Sequence, residues 1–328
     1  MANVATAQKI HEYFGQLSEV EKEVNRIVVG QNATIKGLLR GLLCNGNVFI
    51  EGVPGTAKTL VIKAMANATG CKFSRIQFTV DLLPSDITGI TTFDPQQGFS
   101  TIKGPIFANF IIADEINRAP AKTQSALLEA MQEHQVTIGR ETYILEEPFF
   151  VMATQNPIET AGTYPLPEAQ IDRFLFKLLL EYPSPSEEQK IIQQNVTLYK
   201  FEDYNIKPAI TKQKIIEMQQ AVKNIYLKEN IRKYIVDIVG ATRNPDEYKI
   251  KSGKYIEWGG SPRASIALYI AAKAEALLND STYVTPQYIK NVAGDVLRHR
   301  ILLNYEGQAE GISTDDIVKE VLSKVPVP

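Results

Sequence analysis

The pattern of apolar and polar positions divides the chain into two halves. Before about residue 180, short apolar runs of strand length alternate with segments whose apolar residues recur at helical spacing. After the turn-forming stretch Tyr182-Pro183-Ser184-Pro185-Ser186 the strand signals fade. Helices are predicted beyond it at residues 187–199, 211–225, 229–246, 262–279, 285–298 and 313–325. The pattern therefore predicts a parallel α/β core followed by an all-α domain.

The same pattern sets the expected limits of the domains. We predict an α/β core over residues 1–182, a linker with a connecting helix over 183–210, and a smaller all-α domain over 211–328. Alternation within the core also predicts two β-hairpins, at residues 89–104 and 135–146. A chain of 328 residues is long enough for two domains that each bury a core.

Composition narrows the classes of function. Charged residues make up 22% of the chain, the formal net charge is −2, and there is no long basic block. This weakly disfavours binding to nucleic acid through its phosphates. The two cysteines and three histidines are not spaced as metal ligands. Because the first residues lack a signal pattern and no apolar run is long enough to cross a membrane, we expect a cytoplasmic protein with no membrane partner.

The strongest chemical signal is the glycine loop Gly52-Val53-Pro54-Gly55-Thr56-Ala57-Lys58-Thr59. It follows the apolar run Val48-Phe49-Ile50 and precedes a predicted helix, which is the context in which such a loop binds phosphate. Its N–H groups would point at phosphate oxygens, and the helix would add its positive end. Lys58 would reach the β and γ phosphates, and the Thr59 hydroxyl would hold Mg²⁺. The plain alternative is a glycine turn between a strand and a helix.

One position departs from the pattern G-x-x-x-x-G-K-[ST]. Ala57 stands where the second glycine is usual. We expect right-handed helical backbone there, because a methyl group then fits one residue before Lys58.

Polar residues follow the next two apolar strands. Asp114 would complete the Mg²⁺ shell and Glu115 would position or deprotonate the attacking water, since ligands gather at the carboxyl ends of parallel strands. Such an acidic pair can also merely cap the helix that follows it, but the upstream phosphate loop favours the metal and water roles.

Asn156 ends the next strand, where its amide could orient the water or contact the γ-phosphate, although an Asn-Pro turn has the same sequence.

Three arginines are candidates for stabilising charge on the γ-phosphate. Arg173 precedes a core strand, where in isolation it would form a surface ion pair with Asp172 or Glu168. Arg263 lies in the first turn of a predicted helix, where a cation is slightly unfavourable, so a ligand or partner explains it better. Arg118 is a weaker candidate for the same work.

Together these motifs resemble the MoxR family of AAA+ ATPases, most closely over residues 28–182. The segments that carry the resemblance are Gly52–Thr59, Ile112–Glu115, Asn117–Pro120, Gln155–Pro157, Leu166–Phe174 and Gly260–Ala264. The family has alanine at the position of Ala57, so the departure from the usual glycine supports the resemblance. The resemblance implies a P-loop NTPase core, a helical lid, and hairpins that match the helix-2 and pre-sensor-1 inserts.

The resemblance also implies roles for single residues. The matches are Lys58 and Thr59 to Walker A, Asp114 and Glu115 to Walker B, Asn156 to sensor 1, Arg173 to the arginine finger, Arg263 to sensor 2, and Val29-Gly30-Gln31 to the adenine-binding segment. In related ATPases the finger acts on the nucleotide of the neighbouring subunit, and sensor 2 can do the same. A ring is therefore implied, with six subunits as the expected number.

The implied function is an ATP-hydrolysing chaperone that binds ATP between core and lid and remodels, matures or assembles other protein complexes, often with a von Willebrand factor A-domain partner. A nucleic-acid motor is the alternative, because helicase-related ATPases share both hairpins. Such a motor should carry basic hairpin tips, but Asp94-Pro95-Gln96-Gln97-Gly98 has none and the second tip has only Arg140 beside Glu141. The presence of Glu115 and Arg173 disfavours a third class, a scaffold that binds ATP with little turnover.

Overall fold

The computed structural model describes residues 4–53, 55–96, 98–157, 162–194 and 201–328. In chain order the strands are β1 (Val48–Gly52), β2 (Phe73–Gln77), β3 (Gly89–Asp94), β4 (Gly98–Lys103), β5 (Phe110–Asp114), β6 (Gln135–Ile138), β7 (Glu141–Ile144), β8 (Phe150–Gln155), β9 (Phe176–Leu180), β10 (Ile256–Trp258) and β11 (Leu302–Leu303). The α-helices are α1 (Val4–Asn25), α2 (Asn32–Leu43), α3 (Lys58–Ala68), α4 (Pro84–Thr88), α5 (Ala121–Glu133), α6 (Glu168–Ile171), α7 (Pro185–Gln194), α8 (Lys212–Asn224), α9 (Glu229–Arg243), α10 (Pro262–Leu277), α11 (Pro286–Leu297), α12 (Tyr305–Ala309) and α13 (Thr314–Lys324).

Five parallel strands form the central sheet in the order β2–β5–β8–β1–β9. Every residue of β5 is buried, as expected for a strand whose sheet is covered on both faces. The register pairs Ala113 with Ala153 and Glu51 with Gln155. The carboxyl ends of β1, β5 and β8 therefore lie side by side at one edge of the sheet, and the predicted α/β class is confirmed.

Two antiparallel hairpins project from the core. β3 pairs with β4, and β6 pairs with β7, at the positions predicted from alternation. The hairpins touch each other, because the Tyr143 hydroxyl donates to Thr101 Oγ1 at 3.0 Å. They form one connected surface outside the central sheet.

The helical half packs beside the core. Helices α8 and α10 contact α2, and α11 contacts the edge strand β9. The buried Gln219 amide of α8 donates to the Leu42 carbonyl at 2.7 Å, which fixes part of this contact. None of the helices within the described ranges is long and apolar enough to span a membrane.

The prediction of helices alone in the second half is wrong in one detail. β10 pairs with β11 in a small antiparallel ribbon, and the short helix α12 was also not expected. Segments of two to five residues carry too little periodicity to be recognised. The predicted helix over 187–199 is seen as α7, with its last residues outside the described ranges. The domain limits at 182 and 211 remain predictions.

Candidate functional site

A cavity of about 400 Å³ opens where β1, β5 and β8 end. Its described lining residues are Gly55, Thr56, Ala57, Lys58, Thr59, Leu60, Asp114, Glu115 and Asn156. Three separate stretches of sequence, each predicted for phosphate or water chemistry, are thus brought to one place by the strand order. The size and polarity of the lining suit the phosphates of a nucleotide and their metal ion.

The glycine loop is closed by its own hydrogen bonds. Gly55 has a φ of +82°, and the Thr56 hydroxyl donates to the Val53 carbonyl at 2.9 Å, which closes the turn. The Lys58 ammonium donates to the Gly52 carbonyl and to Val53 O at 3.2 Å, so it is held inside the loop. Helix α3 starts at Lys58 and directs its positive end at the cavity. Pro54, the remaining predicted member of the loop, lies outside the described residues.

The expectation of right-handed backbone at Ala57 is wrong. Ala57 has φ 59° and ψ 23°, which is the left-handed region. The loop keeps the turn that the usual glycine would supply, and the methyl group tolerates it at a cost of roughly 1–2 kcal/mol. A strained residue on the cavity wall is consistent with selection for the shape of the loop rather than for stability.

An Ala57→Gly variant tests this strain. The relief of roughly 1–2 kcal/mol is partly offset by the extra unfolded-state freedom of glycine, about 0.5–1 kcal/mol, so we expect unfolding to cost up to about 1 kcal/mol more. Urea denaturation measures the change. Ala221→Gly in the last turn of α8 is the control and should destabilise by up to about 1 kcal/mol. Equal destabilisation by both substitutions would contradict a left-handed Ala57.

Asp114 is held by two neighbours that the sequence analysis did not single out. Arg75 on β2 donates to Asp114 Oδ2 from Nε at 3.1 Å and from Nη2 at 2.6 Å. The Thr154 hydroxyl on β8 donates to Asp114 Oδ1 at 2.6 Å. Alternation placed Arg75 on a strand, but only the pairing of β2 with β5 puts it beside the acid. These contacts fix the direction of the Asp114 carboxylate.

Glu115 is placed by backbone and side-chain contacts together. Its φ of 56° and ψ of 50° put it in the left-handed region directly after β5, and its N–H donates to Thr154 Oγ1 at 2.9 Å. Gln77 Nε2 donates to Glu115 Oε2 at 2.9 Å, and Arg118 Nη1 donates to the same oxygen at 3.0 Å. The second strained residue of the cavity is therefore its candidate base. Gln77 was missed for the same reason as Arg75, and Arg118 contacts Glu115 within its own chain.

Asn156 follows β8 and completes the wall. Its side chain is buried in the cavity lining next to Glu115. A buried amide offers both donors and an acceptor, which suits contact with a phosphate oxygen and a water.

The residues present fit a magnesium ion that arrives with a nucleotide. Asp114 and Thr59 both line the cavity, and they offer a carboxylate and a hydroxyl oxygen. Mg²⁺ prefers such oxygen ligands and takes its remaining positions from phosphates and water. Asp114 and Thr59 are therefore the two residues that would hold it.

A second cavity, of about 650 Å³, lies beside Gly30 and Gln31. Gln31 is fixed there, because its amide donates to the Glu181 carbonyl at 3.3 Å and accepts from Thr34 Oγ1 at 3.1 Å. The lid lines this cavity through α11 and α13, with Asn291, Asp295, Arg298 and Asp315. Val29 is half-buried next to Gly30 and is not among the lining residues.

The position of ATP between core and lid remains a prediction. The described residues around the phosphate cavity all belong to the core, between Gly55 and Asn156. The lid helices pack on α1, α2 and β9.

The two predicted cations lie elsewhere. Arg173 is exposed, and Arg263 binds Asp172 Oδ2 through Nη1 at 3.3 Å. Neither is among the described residues that line the phosphate cavity. The pair with Asp172 also supplies an intrachain partner for Arg263, whose place in the first turn of α10 had favoured a ligand. The structure thus places Arg263 against Asp172, the residue that precedes Arg173, and neither arginine is among the described residues that line the phosphate cavity of its own chain.

Comparisons with known proteins agree with this architecture. The family described as "ATPase family associated with various cellular activities" matches residues 47–176, and the AAA lid domain matches residues 251–321. Chaperone MoxR1 of Mycobacterium tuberculosis is 46% identical over 93% of this chain and 81% of its own length. Protein MoxR of Paracoccus denitrificans is 30% identical over 97% of this chain and 98% of its own. The crystal structure of a candidate ATPase from Cytophaga hutchinsonii has a TM-score of 0.92 and 47% identity, over 98% of this chain and 97% of that one.

The relatives align over core and lid alike, so the likeness extends beyond the phosphate loop. A nucleotide-binding core of this kind and its helical lid account for the fold described above. The chain belongs to the MoxR family of AAA+ ATPases.

Proposed function

We propose that this chain is an ATP-hydrolysing chaperone that remodels, matures or assembles other protein complexes. One observation carries the proposal: the glycine loop, the acids Asp114 and Glu115, and Asn156 meet around one cavity. Each is the residue type that phosphoryl transfer to water needs at its position. Cytoplasmic location is part of the same proposal.

The glycine loop binds ATP. Its N–H groups and the start of α3 receive the phosphates, and Lys58 exchanges its carbonyl partners for the β and γ phosphate oxygens. Thr59 and Asp114 would hold Mg²⁺, which would neutralise charge on the phosphates. Gly30 and Gln31, with Val29 beside them, hold the adenine.

Glu115 and Asn156 carry out the hydrolysis. The Glu115 carboxylate accepts two hydrogen bonds on Oε2, from Gln77 and Arg118, which leaves Oε1 to accept a proton from water. Asn156 orients that water against the γ-phosphate. Glu115 lines the cavity from a left-handed backbone position directly after β5.

Stabilising the transition state needs a second cation besides Lys58. The described residues that line the cavity include no such cation. We assign it to Arg173 of an adjacent copy, with Arg263 beside it, because both stand away from their own cavity. Such an arginine stabilises the charge that develops on the γ-phosphate. The assignment requires a ring, for which we propose six subunits.

The client is proposed to be protein, with a von Willebrand factor A-domain protein as co-partner. The hairpins expose large apolar side chains: Phe93 is 64%, Phe99 79% and Ile144 82% exposed. The rings of Phe93 and Phe99 lie 5.0 Å apart at the end of the first hairpin. A nucleic-acid strand would need basic side chains at this surface, and the sequence supplies only Arg140 at the two tips.

Capture of the client tests the function. A Glu115→Gln variant loaded with ATP should hold its client without releasing it, so affinity purification from the source cell should recover bound material. We expect that material to resist nuclease and to be removed by protease. The same variant carrying Phe93→Ser and Phe99→Ser should recover at least tenfold less.

The control adds Lys58→Ala to the trap, which prevents nucleotide binding and should abolish capture. Nuclease-sensitive material captured only with ATP would support the motor instead of the chaperone. Capture that does not depend on ATP would contradict both.

A further inference from the structure

The end of α11 is bound to the segment that carries Arg173. Arg300 Nη2 donates to the carbonyls of Asp172 at 3.3 Å and Phe174 at 2.7 Å, and Nη1 donates to Leu175 O at 3.1 Å. His299 Nε2 donates to Phe174 O at 3.1 Å. A residue of the lid thus holds the backbone on both sides of Arg173.

The Arg300 guanidinium has no hydrogen-bond donor left for another partner. Its side chain is 3% exposed, and Nε donates to Asp172 Oδ1 at 2.8 Å. The remaining N–H of Nη1 donates to Val296 O at 2.5 Å, so all five guanidinium donors are used. The carbonyls of Asp172 and Phe174 follow the end of the short helix α6, where such groups need partners from outside the helix.

Asp172 joins the same contact to the second cation. Its Oδ1 binds Arg300, while its Oδ2 accepts from Arg263 Nη1 and from Ser261 Oγ, each at 3.3 Å. Ser261 and Arg263 begin α10 of the lid. One carboxylate therefore sets the distance between the start of α10 and the turn that bears Arg173.

Arg173 itself reaches outward. It is exposed, and within the part of the chain that the structure describes its guanidinium makes no hydrogen bond or ion pair. Its backbone is fixed by Arg300 while its side chain stays available to another molecule. This combination is what a residue offered to an adjacent copy needs.

We propose that Arg300 and Asp172 are positioning residues for ATP hydrolysis in the adjacent copy. Arg300 holds the turn from which Arg173 projects, and Asp172 holds Arg263 beside it. The lid of one subunit thereby sets the geometry of the active site of its neighbour. This inference rests on the proposed action of Arg173 across the subunit interface.

Small displacements of the turn should then affect chemistry rather than folding alone. Misplacing a catalytic group by about 1 Å can cost about a hundredfold in rate. Arg300→Lys keeps the positive charge, but an ammonium with three N–H donors on a flexible stem cannot bond four spread carbonyls and a carboxylate at once. The backbone at Arg173 would lose its fixed position while the buried charge remains paired with Asp172.

The test mixes two variants of the full chain. A donor subunit carries Glu115→Gln, so it supplies Arg173 but cannot hydrolyse ATP. An acceptor subunit carries Arg173→Ala, so it hydrolyses ATP only beside a donor. Arg300→Lys is added to the donor in one mixture and to the acceptor in another, and phosphate release is measured over a range of ATP concentrations.

We expect donor-side Arg300→Lys to lower kcat of the mixture about tenfold to a hundredfold with KM unchanged. Acceptor-side Arg300→Lys should change kcat less than about twofold, because that subunit offers no Arg173. Asp172→Asn, which keeps the shape but loses the charge that holds Arg263, should show the same asymmetry if Arg300→Lys fails to fold. Gln219→Met, which removes a buried lid-to-core hydrogen bond at α2, should show no difference between the two placements.

Equal losses from donor and acceptor placement would mean that Arg300 serves stability alone, and would overturn the inference. No loss from either placement would overturn it as well. If the starting donor and acceptor never recover hydrolysis together, the action of Arg173 across the interface is itself wrong, and the positioning role falls with it.

Discussion

A Glu115→Gln variant is expected to bind ATP with an affinity close to that of the parent chain and to hydrolyse it about 10²–10⁴ times more slowly. The amide has the shape of the carboxylate and can still accept from Gln77 through its oxygen. It cannot take a proton from water, so the attack on the γ-phosphate loses its base. Binding depends on Lys58 and the loop amides, which the substitution leaves in place.

Steady-state phosphate release and equilibrium nucleotide binding measure the two effects separately. Glu129→Gln, at an exposed position of α5, is the matched control and should alter neither. Hydrolysis by Glu115→Gln within a fewfold of the parent rate would remove Glu115 from the role of base.

An Arg173→Ala variant is expected to lose hydrolysis by about 10³-fold or more, because a finger arginine contributes that much in comparable phosphoryl transfer. Its nucleotide affinity should stay near the parent value, since Arg173 does not line its own chain's phosphate cavity. The loss should appear in kcat, with KM little changed. Removing an exposed side chain should also leave the melting temperature within a few degrees.

Arg232→Ala provides the control for loss of a surface arginine. Arg232 pairs with Glu229 on α9 at 2.9 Å and has no part in either cavity. An Arg173→Ala chain that hydrolyses ATP within about threefold of the parent would exclude the finger role.

Local sequence predicted the elements of the site. The phosphate loop stands between an apolar run and a helix, and Asp114 and Glu115 follow another apolar run, so their places at strand ends are properties of short segments. Alternation gave both hairpins for the same reason. The comparisons confirm the family that these motifs resemble, while the roles of the single residues remain predictions.

Contacts between residues far apart in the sequence account for most of the site features that the sequence could not predict. Arg75 and Gln77 become partners of Asp114 and Glu115 only because β2 lies next to β5, and no local signal fixes that order. Ala57 was assigned the wrong backbone region because side-chain size alone does not set the sign of φ. In the sequence, Arg300 is an ordinary residue near the end of a helix. Its role becomes apparent only from the contact between the end of α11 and the turn at Asp172.

We infer that each hydrolytic site is built from two copies of the chain. Mixing Arg173→Ala subunits with Glu115→Gln subunits tests it most directly, because each variant lacks the part that the other retains. We expect phosphate release, nearly absent in either variant alone, to return in the mixture to a clear fraction of the parent rate. Phosphate release in the mixture that never exceeds the sum of the separate variants, although the subunits co-assemble, would contradict it.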